Sequence, residues 1–237
     1  MAFEFKTCAT AEGITMEGLY EIQPKLFGDN RGYFLETYSE RDFFAAGLTM
    51  KFVQDNQSKS VQGVLRGLHF QTKHPQGKLV QAVSGQVYDV AVDLRKGSAT
   101  FGKYYGVILD GDKRNQFYIP QGFAHGFYVL SQEAVFAYKC TDFYDPSGEG
   151  GLMWNDPLIG IDWKTPMTTF CGADKDIEPV LSEKDTKHPA FDPEKNYFDM
   201  RKIYKLMSLL TFAILAMTAC QNIDDVVDNT PTTNSDE

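Results

Sequence analysis

Between residues 78 and 140 the chain alternates short segments of mixed polar and apolar character with clusters of turn-forming residues. The segments span residues 78–83, 87–94, 104–109, 116–119, 125–130 and 134–140, and Gly, Pro, Asp or Ser lies between them. Short runs bounded by such residues are typical of β-strands. Six strands at this spacing predict a sandwich or barrel and argue against an all-helical bundle, as do the 18 Phe and 12 Tyr.

The segment 87–94 shows what such a strand would present to its two sides. Successive side chains of a strand point to opposite faces. One face would carry Tyr88, Val90, Val92 and Leu94, and the other Val87, Asp89, Ala91 and Asp93. The second face mixes carboxylates with apolar groups, and we expect it to line a wet cavity inside a barrel.

Helical signals are confined to one short segment. Ser39 is a suitable N-cap, Glu40 and Asp42 are acidic residues of a first turn, and Gly47 is a stop signal. Residues 154–199 contain five prolines and predict a loop-rich segment that wraps the barrel. The predicted class is therefore all-β, a double-sheet barrel with short peripheral helices.

Charge and cysteine content argue against nucleic-acid binding and against a disulfide framework or a zinc site. The chain has 23 Lys and Arg against 32 Asp and Glu, a formal charge of −9, so a generic nucleic-acid binder is not expected. Its four cysteines lie far apart without metal-ligand spacing, which suggests neither a disulfide framework nor a zinc site. A reducing, cytoplasmic compartment fits this pattern.

Composition changes abruptly at residue 200. A basic start from Met200 leads into an apolar stretch and the sequence Met217-Thr218-Ala219-Cys220, the layout of a bacterial lipoprotein signal peptide, followed by a polar tether. We therefore divide the chain into a domain of residues 1–199 and an extension of residues 200–237 outside the fold, which two joined reading frames would explain. The alternative is a membrane anchor, although residues 206–220 fall short of the ~20 residues that a spanning helix needs.

Two histidines stand in unusual surroundings. Pro120, Gly122 and His125 follow the P-x-G-x-x-H spacing of cupins, which are small double-sheet barrels. Metal-binding cupins carry a second histidine two residues after the first, where this chain has Gln71 after His69. We therefore expect no metal site. A structural histidine in the barrel is the alternative reading at both positions.

The residues around these histidines suggest chemistry at carbon. Arg31, Arg66 and Lys78 are cations beside turn glycines in an acidic protein, and Tyr138 lies on a predicted strand. A histidine can remove a proton from carbon next to a carbonyl while a lysine stabilises the enolate. A tyrosine on the other face could return the proton, which would invert the carbon without a cofactor.

Several motifs around these residues resemble one enzyme family. They are FGDNRG at 27–32, FVQDN at 52–56, VLRGLHFQ at 64–71, PQGKLV at 75–80, IPQGFAHGF at 119–127, LMWNDP at 152–157 and LSEKD at 181–185. Together they resemble the dTDP-4-dehydrorhamnose 3,5-epimerases over about residues 10–190. The resemblance implies a cupin-type jelly roll, a homodimer, a dTDP-4-keto-6-deoxy sugar as substrate, and neither a metal nor an organic cofactor.

The resemblance also implies residue roles. His69 is similar to the family's base, Asp185 to its carboxylate partner, Tyr138 to the acid and Lys78 to the group at the 4-oxo oxygen. The positions that resemble diphosphate and sugar contacts are Gln54, Asn56, Arg66 and His125, and those that resemble nucleotide contacts, some across the dimer, are Phe27, Arg31, Glu36 and Tyr144. From the residues alone, Asp89 is a rival of Asp185 as the partner of His69.

Two other functions compete with double inversion. A related enzyme could invert one carbon or isomerise the ketone of a dTDP-sugar. A non-catalytic sugar-nucleotide binding module is the third possibility, and membrane contact would arise only if the extension is a real anchor.

Truncation after Asp199 tests the proposed boundary. We expect the shortened chain to remain soluble, dimeric and fully active, because the motifs and predicted strands end by about residue 190, whereas the apolar residues 206–219 would expose a patch in the full chain. Sedimentation and turnover of both chains measure this. A monomeric or inactive truncated form would make the extension part of the fold.

Overall fold

All six predicted strands are present in the structure, a computed structural model that describes residues 2–172 and 177–198. The described residues form thirteen strands: β1 (Phe3–Ala9), β2 (Thr15–Pro24), β3 (Phe27–Asp29), β4 (Gly32–Phe34), β5 (Gln54–Val61), β6 (Leu65–Gln71), β7 (Lys78–Ser84), β8 (Gln86–Asp93), β9 (Tyr104–Asp110), β10 (Gln116–Ile119), β11 (Phe123–Val129), β12 (Glu133–Cys140) and β13 (Glu149–Gly151). The predicted strands correspond to β7–β12, with ends that agree within two residues.

These strands form two main antiparallel sheets. One has six strands in the order β1-β2-β10-β7-β12-β5, and the other has five in the order β13-β6-β11-β8-β9. The pair β3 and β4 forms a separate hairpin. The prediction of an all-β, double-sheet architecture is therefore confirmed.

An apolar core contains inward side chains of both sheets. Phe127 on β11 and Phe136 on β12 stack with ring centroids 4.2 Å apart, which joins the five-stranded to the six-stranded sheet. The inward face of β8 contributes Val87 and Ala91 to this core. Its two carboxylates are fully buried as well, and Asp93 binds the Arg95 guanidinium at 2.8 Å.

The outer face of β8 is also buried, which alternation alone did not reveal. Tyr88 meets Trp163 edge to face at 5.8 Å, and Trp163 belongs to the segment after β13. The described parts of residues 154–198 thus cover this side of the barrel.

A short helix, α1 (Glu40–Ala45), covers the outer face of the six-stranded sheet. As predicted, the Ser39 hydroxyl caps it by accepting the Asp42 N–H, and Gly47 follows its end at a φ of +82°. Phe43 is completely buried against Phe3 and Phe5. Aromatic packing therefore fixes this short helix, which would be unstable in isolation.

A second helix, α2 (Lys164–Cys171), lies where the prolines predicted only loop. Pro166 is in its first turn, where a missing N–H costs no intrahelical bond. The Asp162 carboxylate accepts the N–H groups of Lys164 and Thr165. Short 3₁₀ turns cover Pro146–Gly148 and Asp185–Lys187.

No helix within the described ranges is long and apolar enough to cross a membrane. The expectations for the extension from residue 200 onward concern residues outside those ranges.

The backbones of β6 and β11 approach closely at two glycines. Gly67 has a φ of +135°, and a Cβ on Gly126 would lie 2.8 Å from the Arg66 carbonyl oxygen and 3.2 Å from the Gly67 Cα. The pairing register shifts here, between His125 and Phe127. Beyond this irregularity His69 lies directly opposite His125.

Gly126→Ala tests this close approach. We expect it to lower the free energy of unfolding by about 1–3 kcal/mol, because the added methyl group must push β6 away from β11. Urea denaturation at fixed protein concentration measures the effect. Gly28→Ala is the matched control, since its nearest neighbour would be the Gly32 oxygen at 3.7 Å. Equal stability of both variants would contradict the steric argument.

Candidate active site

Two histidine–aspartate pairs lie side by side inside the barrel. His69 on β6 and His125 on β11 face each other across the strand pair, and each binds a different carboxylate. Asp185 belongs to His69 and Asp89 to His125. The structure therefore answers the question that the residues alone left open.

The His69–Asp185 pair joins a strand to the chain's later 3₁₀ turn. His69 Nε2 lies 2.6 Å from Asp185 Oδ1, and the Ser182 hydroxyl donates to Asp185 Oδ2 at 2.8 Å. A carboxylate can only accept, so the proton of a neutral His69 ring is on Nε2. Nδ1 then keeps the lone pair that a base needs.

The charge of Asp185 is stabilised despite its burial. Only 4% of its side chain is exposed. Burial raises the pKa of this carboxyl, but the hydrogen bonds from His69 and Ser182 outweigh that effect and hold the pKa below its ordinary value. The charged acceptor that fixes the His69 tautomer is thus maintained at neutral pH.

The second pair lies deeper in the barrel. His125 Nε2 lies 3.0 and 2.9 Å from the two carboxylate oxygens of the fully buried Asp89. Burial lowers the pKa of His125 and raises that of Asp89, and the attraction between the partners opposes both shifts. Because Nε2 is occupied, only the other ring nitrogen of His125 is left for a ligand.

Lys78 begins β7 on the six-stranded sheet, with its side chain toward the barrel interior. Lys78 and the core residue Val80 are two positions apart on this strand, so their side chains lie on the same face. Burial lowers the pKa of its ammonium, against the raising effect of Cys140 and Asp89. Within the described ranges no hydrogen bond or ion pair holds this ammonium, so it is available to a ligand.

Tyr138 lies on the neighbouring strand β12 and also points inward. It is half-buried against the core and pairs in register with Val80, two residues along from Lys78. Burial raises the pKa of its phenol, which Cys140 raises further and the Arg66 charge lowers. The phenol therefore stays protonated at neutral pH and can act as a proton donor.

Three predicted ligand contacts surround this interior. Gln54 and Asn56 share one face of β5, and the Gln54 amide donates to the Asn56 oxygen at 3.0 Å. Arg66 is exposed and donates from Nε to the Ser60 hydroxyl at 3.1 Å. These polar groups extend the site from the histidines toward solvent.

The predicted nucleotide contacts lie on or just after the β3–β4 hairpin, except Tyr144, which lies beside Gln54. Phe27 is 49% exposed on the hairpin, and Arg31 at its turn binds Asp29 at 2.5 Å. Glu36 is exposed just after the hairpin. Tyr144 is exposed after β12, where its hydroxyl donates to Glu149 at 3.1 Å and its N–H to Gln54 at 3.3 Å.

The positions that would bind metal in a cupin have other partners here. His69 and His125 use Nε2 for two different aspartates, and the Gln71 side-chain oxygen accepts the Asp145 N–H at 3.4 Å. The three side chains do not share a ligand.

Two neighbours of the site escaped the sequence analysis. Ser182 supports Asp185, and His188 lies beside the same carboxylate with its Nε2 at 3.5 Å from Oδ1. Their spacing of three residues on either side of Asp185 was the available signal, since a tight turn brings such residues together.

Groups that can accept and donate a proton come from opposite walls of the interior. His69 comes from the five-stranded sheet, and Tyr138 and Lys78 come from adjacent strands of the six-stranded sheet. A ligand between the sheets would have a proton acceptor on one side and a proton donor with a cation on the other.

Comparison with known proteins by sequence matches the chain to one enzyme family. The sequence model of the dTDP-4-dehydrorhamnose 3,5-epimerase family matches residues 13–193. The dTDP-4-dehydrorhamnose 3,5-epimerase of Methanothermobacter thermautotrophicus is 50% identical over 171 residues, which cover 72% of this chain and 88% of that protein.

Solved structures agree with the sequence comparison. A dTDP-4-dehydrorhamnose 3,5-epimerase from Elizabethkingia anophelis has a TM-score of 0.72 and 47% identity, covering 83% of this chain and 100% of its own. A dTDP-6-deoxy-D-glucose-3,5-epimerase from Legionella pneumophila, solved with dTDP-4-keto-L-rhamnose, has a TM-score of 0.70 and 44% identity, covering 79% and 92%. The prediction of a cupin-type jelly roll is thereby confirmed.

Proposed function

The chain belongs to the dTDP-4-dehydrorhamnose 3,5-epimerase family, and we propose that His69 is its base and Tyr138 its acid. The enzyme epimerises C3 and C5 of dTDP-4-dehydro-6-deoxy-D-glucose in dTDP-rhamnose biosynthesis. The observation that carries the residue assignment is the origin of the two side chains in opposite sheets of one barrel.

The substrate's ketone explains why such a simple site suffices. C3 and C5 both flank the C4 carbonyl, so removal of a proton from either carbon gives an enolate. His69 Nδ1 takes that proton, because Asp185 holds the ring proton on Nε2 and stabilises the imidazolium that forms. Delivery of a proton by Tyr138 to the opposite face then inverts the carbon.

Lys78 supplies the positive charge at the carbonyl oxygen. Its ammonium has no partner within the described ranges and points into the same interior, so it can bind the oxygen on which the enolate charge develops. A cation in a partly dry site stabilises such charge more strongly than one in water. Neither a metal nor an organic cofactor has a step to perform in this scheme.

We divide the remaining predicted contacts between two parts of the substrate. We assign Gln54, Asn56, Arg66 and His125 to the sugar and diphosphate, and Arg66 supplies the exposed cation that a diphosphate requires. Phe27, Arg31, Glu36 and Tyr144 are assigned to the nucleotide.

A homodimer would bring the nucleotide contacts to a site. All six strand residues of the β3–β4 hairpin are exposed in the single chain, including Phe27, Tyr33 and Phe34. A two-stranded hairpin with so little cover is only marginally stable. A second copy of the chain that receives this hairpin would cover its aromatic side chains and supply a base site for its nucleotide contacts.

We assign the enzyme to the cytoplasm. Cys8, Cys140 and Cys171 are free thiols, as expected in a reducing compartment.

Incorporation of solvent deuterium tests the function itself. With the purified chain and dTDP-4-dehydro-6-deoxy-D-glucose in D₂O, we expect deuterium at both C3 and C5 of the product by NMR. Label at one carbon would indicate a single-carbon epimerase. Absence of label would indicate a binding module.

His69→Ala tests the base. We expect deuterium exchange to fall about 10²–10⁴-fold, the usual contribution of a positioned base, while dTDP affinity stays within a few-fold. His74→Ala is the matched control, since His74 is an exposed histidine that also pairs with an aspartate, Asp142. An exchange rate for His69→Ala within threefold of wild type would exclude His69 as the base.

Tyr138→Phe tests the acid separately from the base. The ring keeps its packing, and we expect inversion to fall more than exchange, because His69 can still return a solvent deuteron to the face from which it took the proton. Simultaneous measurement of label and stereochemistry distinguishes the two steps. Tyr20→Phe removes a phenol on the outer side of the same sheet as a control. An equal fall in exchange and inversion would contradict a separate acid.

A further inference from the structure

His188 is a buried histidine that the reaction scheme does not use. Its side chain is 11% exposed, and its Nε2 is buried without a hydrogen-bond partner in the described structure. The ring lies flat against the backbone of Gly151, where a Cβ would meet its atoms at 2.3–2.4 Å. Packing against a glycine thus holds this nitrogen beside Asp185.

Three ligand atoms converge at this point. His188 Nε2 is 3.5 Å from Asp185 Oδ1, His69 Nε2 is 2.6 Å from the same oxygen, and all three atoms lie within 4.8 Å of one another. Two imidazoles and one carboxylate are a common donor set for zinc and related first-row ions. Their bond lengths of about 2.0–2.2 Å put neighbouring ligands roughly 3.3 Å apart. The pair 2.6 Å apart would have to open by about 0.7 Å, and the widest separation, at most 4.8 Å, would have to close by up to about 1.5 Å.

We propose that His69, Asp185 and His188 form an inhibitory site for Zn²⁺ or a similar divalent transition-metal ion. The metal replaces the proton that His69 Nε2 shares with Asp185. The neutral ring then carries its proton on Nδ1, and that nitrogen no longer has a lone pair to accept a proton from the substrate. Inhibition rests on the proposed role of His69 as base, whereas metal binding does not.

An open cleft provides access for the ion. It has a volume of about 610 Å³ and is lined by Ser182, Glu183, Lys184, Lys187 and His188. Its two lysines do not leave net positive charge to repel a cation, because Lys184 pairs with Glu149 and Lys187 pairs with Glu183 at 2.5 Å. With three protein ligands, the fourth position stays open to water, as in other zinc sites with an exchangeable ligand.

The site differs from the metal centre of other cupins. There the ligands come from barrel strands, whereas Asp185 and His188 belong to the 3₁₀ turn and its end. Because the proposed ion only inhibits, we expect a chelator to leave the metal-free rate unchanged.

The test measures metal binding and inhibition separately on the full chain. Co²⁺ is titrated into the metal-free protein without substrate, and the rise of its visible d–d absorption above that of the aqueous ion reports binding in a four- or five-coordinate protein site. Zn²⁺ is titrated during turnover, with each variant compared with its own metal-free rate. We expect one Co²⁺ per chain in the wild type, inhibition by micromolar Zn²⁺, and recovery with EDTA.

His188→Asn and His188→Gln are the test variants, and His74→Asn is the control outside the site. We expect at least tenfold weaker Co²⁺ binding and Zn²⁺ inhibition in both His188 variants, and wild-type behaviour in His74→Asn. Two variants of different length are used so that misfolding of one, seen by circular dichroism, leaves the other informative.

Equal Zn²⁺ sensitivity of the wild type and the folded His188 variants, or no Co²⁺ absorption in the wild type, would overturn the proposal. If the proposed epimerase function is wrong, the experiment gives a different result. In that case Co²⁺ binding would still depend on His188, while the wild type would have no turnover to inhibit.

Discussion

Burial of carboxylates inside a β-barrel is the constraint on which this structure depends. An ionised group removed from water is very costly unless a partner and hydrogen bonds compensate. Asp89, Asp93 and Asp185 are almost fully buried, and each has at least one cation or histidine beside it. These pairings orient the rings of His69 and His125. Because each ring contacts its aspartate through Nε2, only its Nδ1 can contact a ligand.

In the proposed mechanism, the two sheets divide the chemical work between them. The five-stranded sheet carries both histidines, while the six-stranded sheet carries Lys78 and Tyr138 on adjacent strands. The Phe127–Phe136 stack between the sheets keeps this separation constant. Inversion at carbon needs two different faces, and the two sheets of the barrel provide them.

Local signals predicted more of the fold than of the site. Strands β7–β12 are bounded by turn chemistry, which acts over a few residues and is visible in the sequence. In contrast, β5 reads QDNQSKSV and has no apolar alternation, because its half-buried face carries polar groups of the site. The helix α2 was missed because Pro166 reads as a breaker unless its place in the first turn is known. The His69–Asp185 pair spans 116 residues, so only the family resemblance pointed to it before the structure.

The late position of Asp185 has a consequence for synthesis of the chain. The last strand among the described residues ends at Gly151, whereas the partner of His69 follows more than thirty residues later. At about 5–20 residues per second, a ribosome takes roughly 2–7 s to add that stretch. During this interval a nascent barrel can close around a histidine whose tautomer is not yet fixed. Docking of the final segment therefore completes the His69–Asp185 pair, and a chain that stops early would have the barrel strands but a His69 ring without its carboxylate partner.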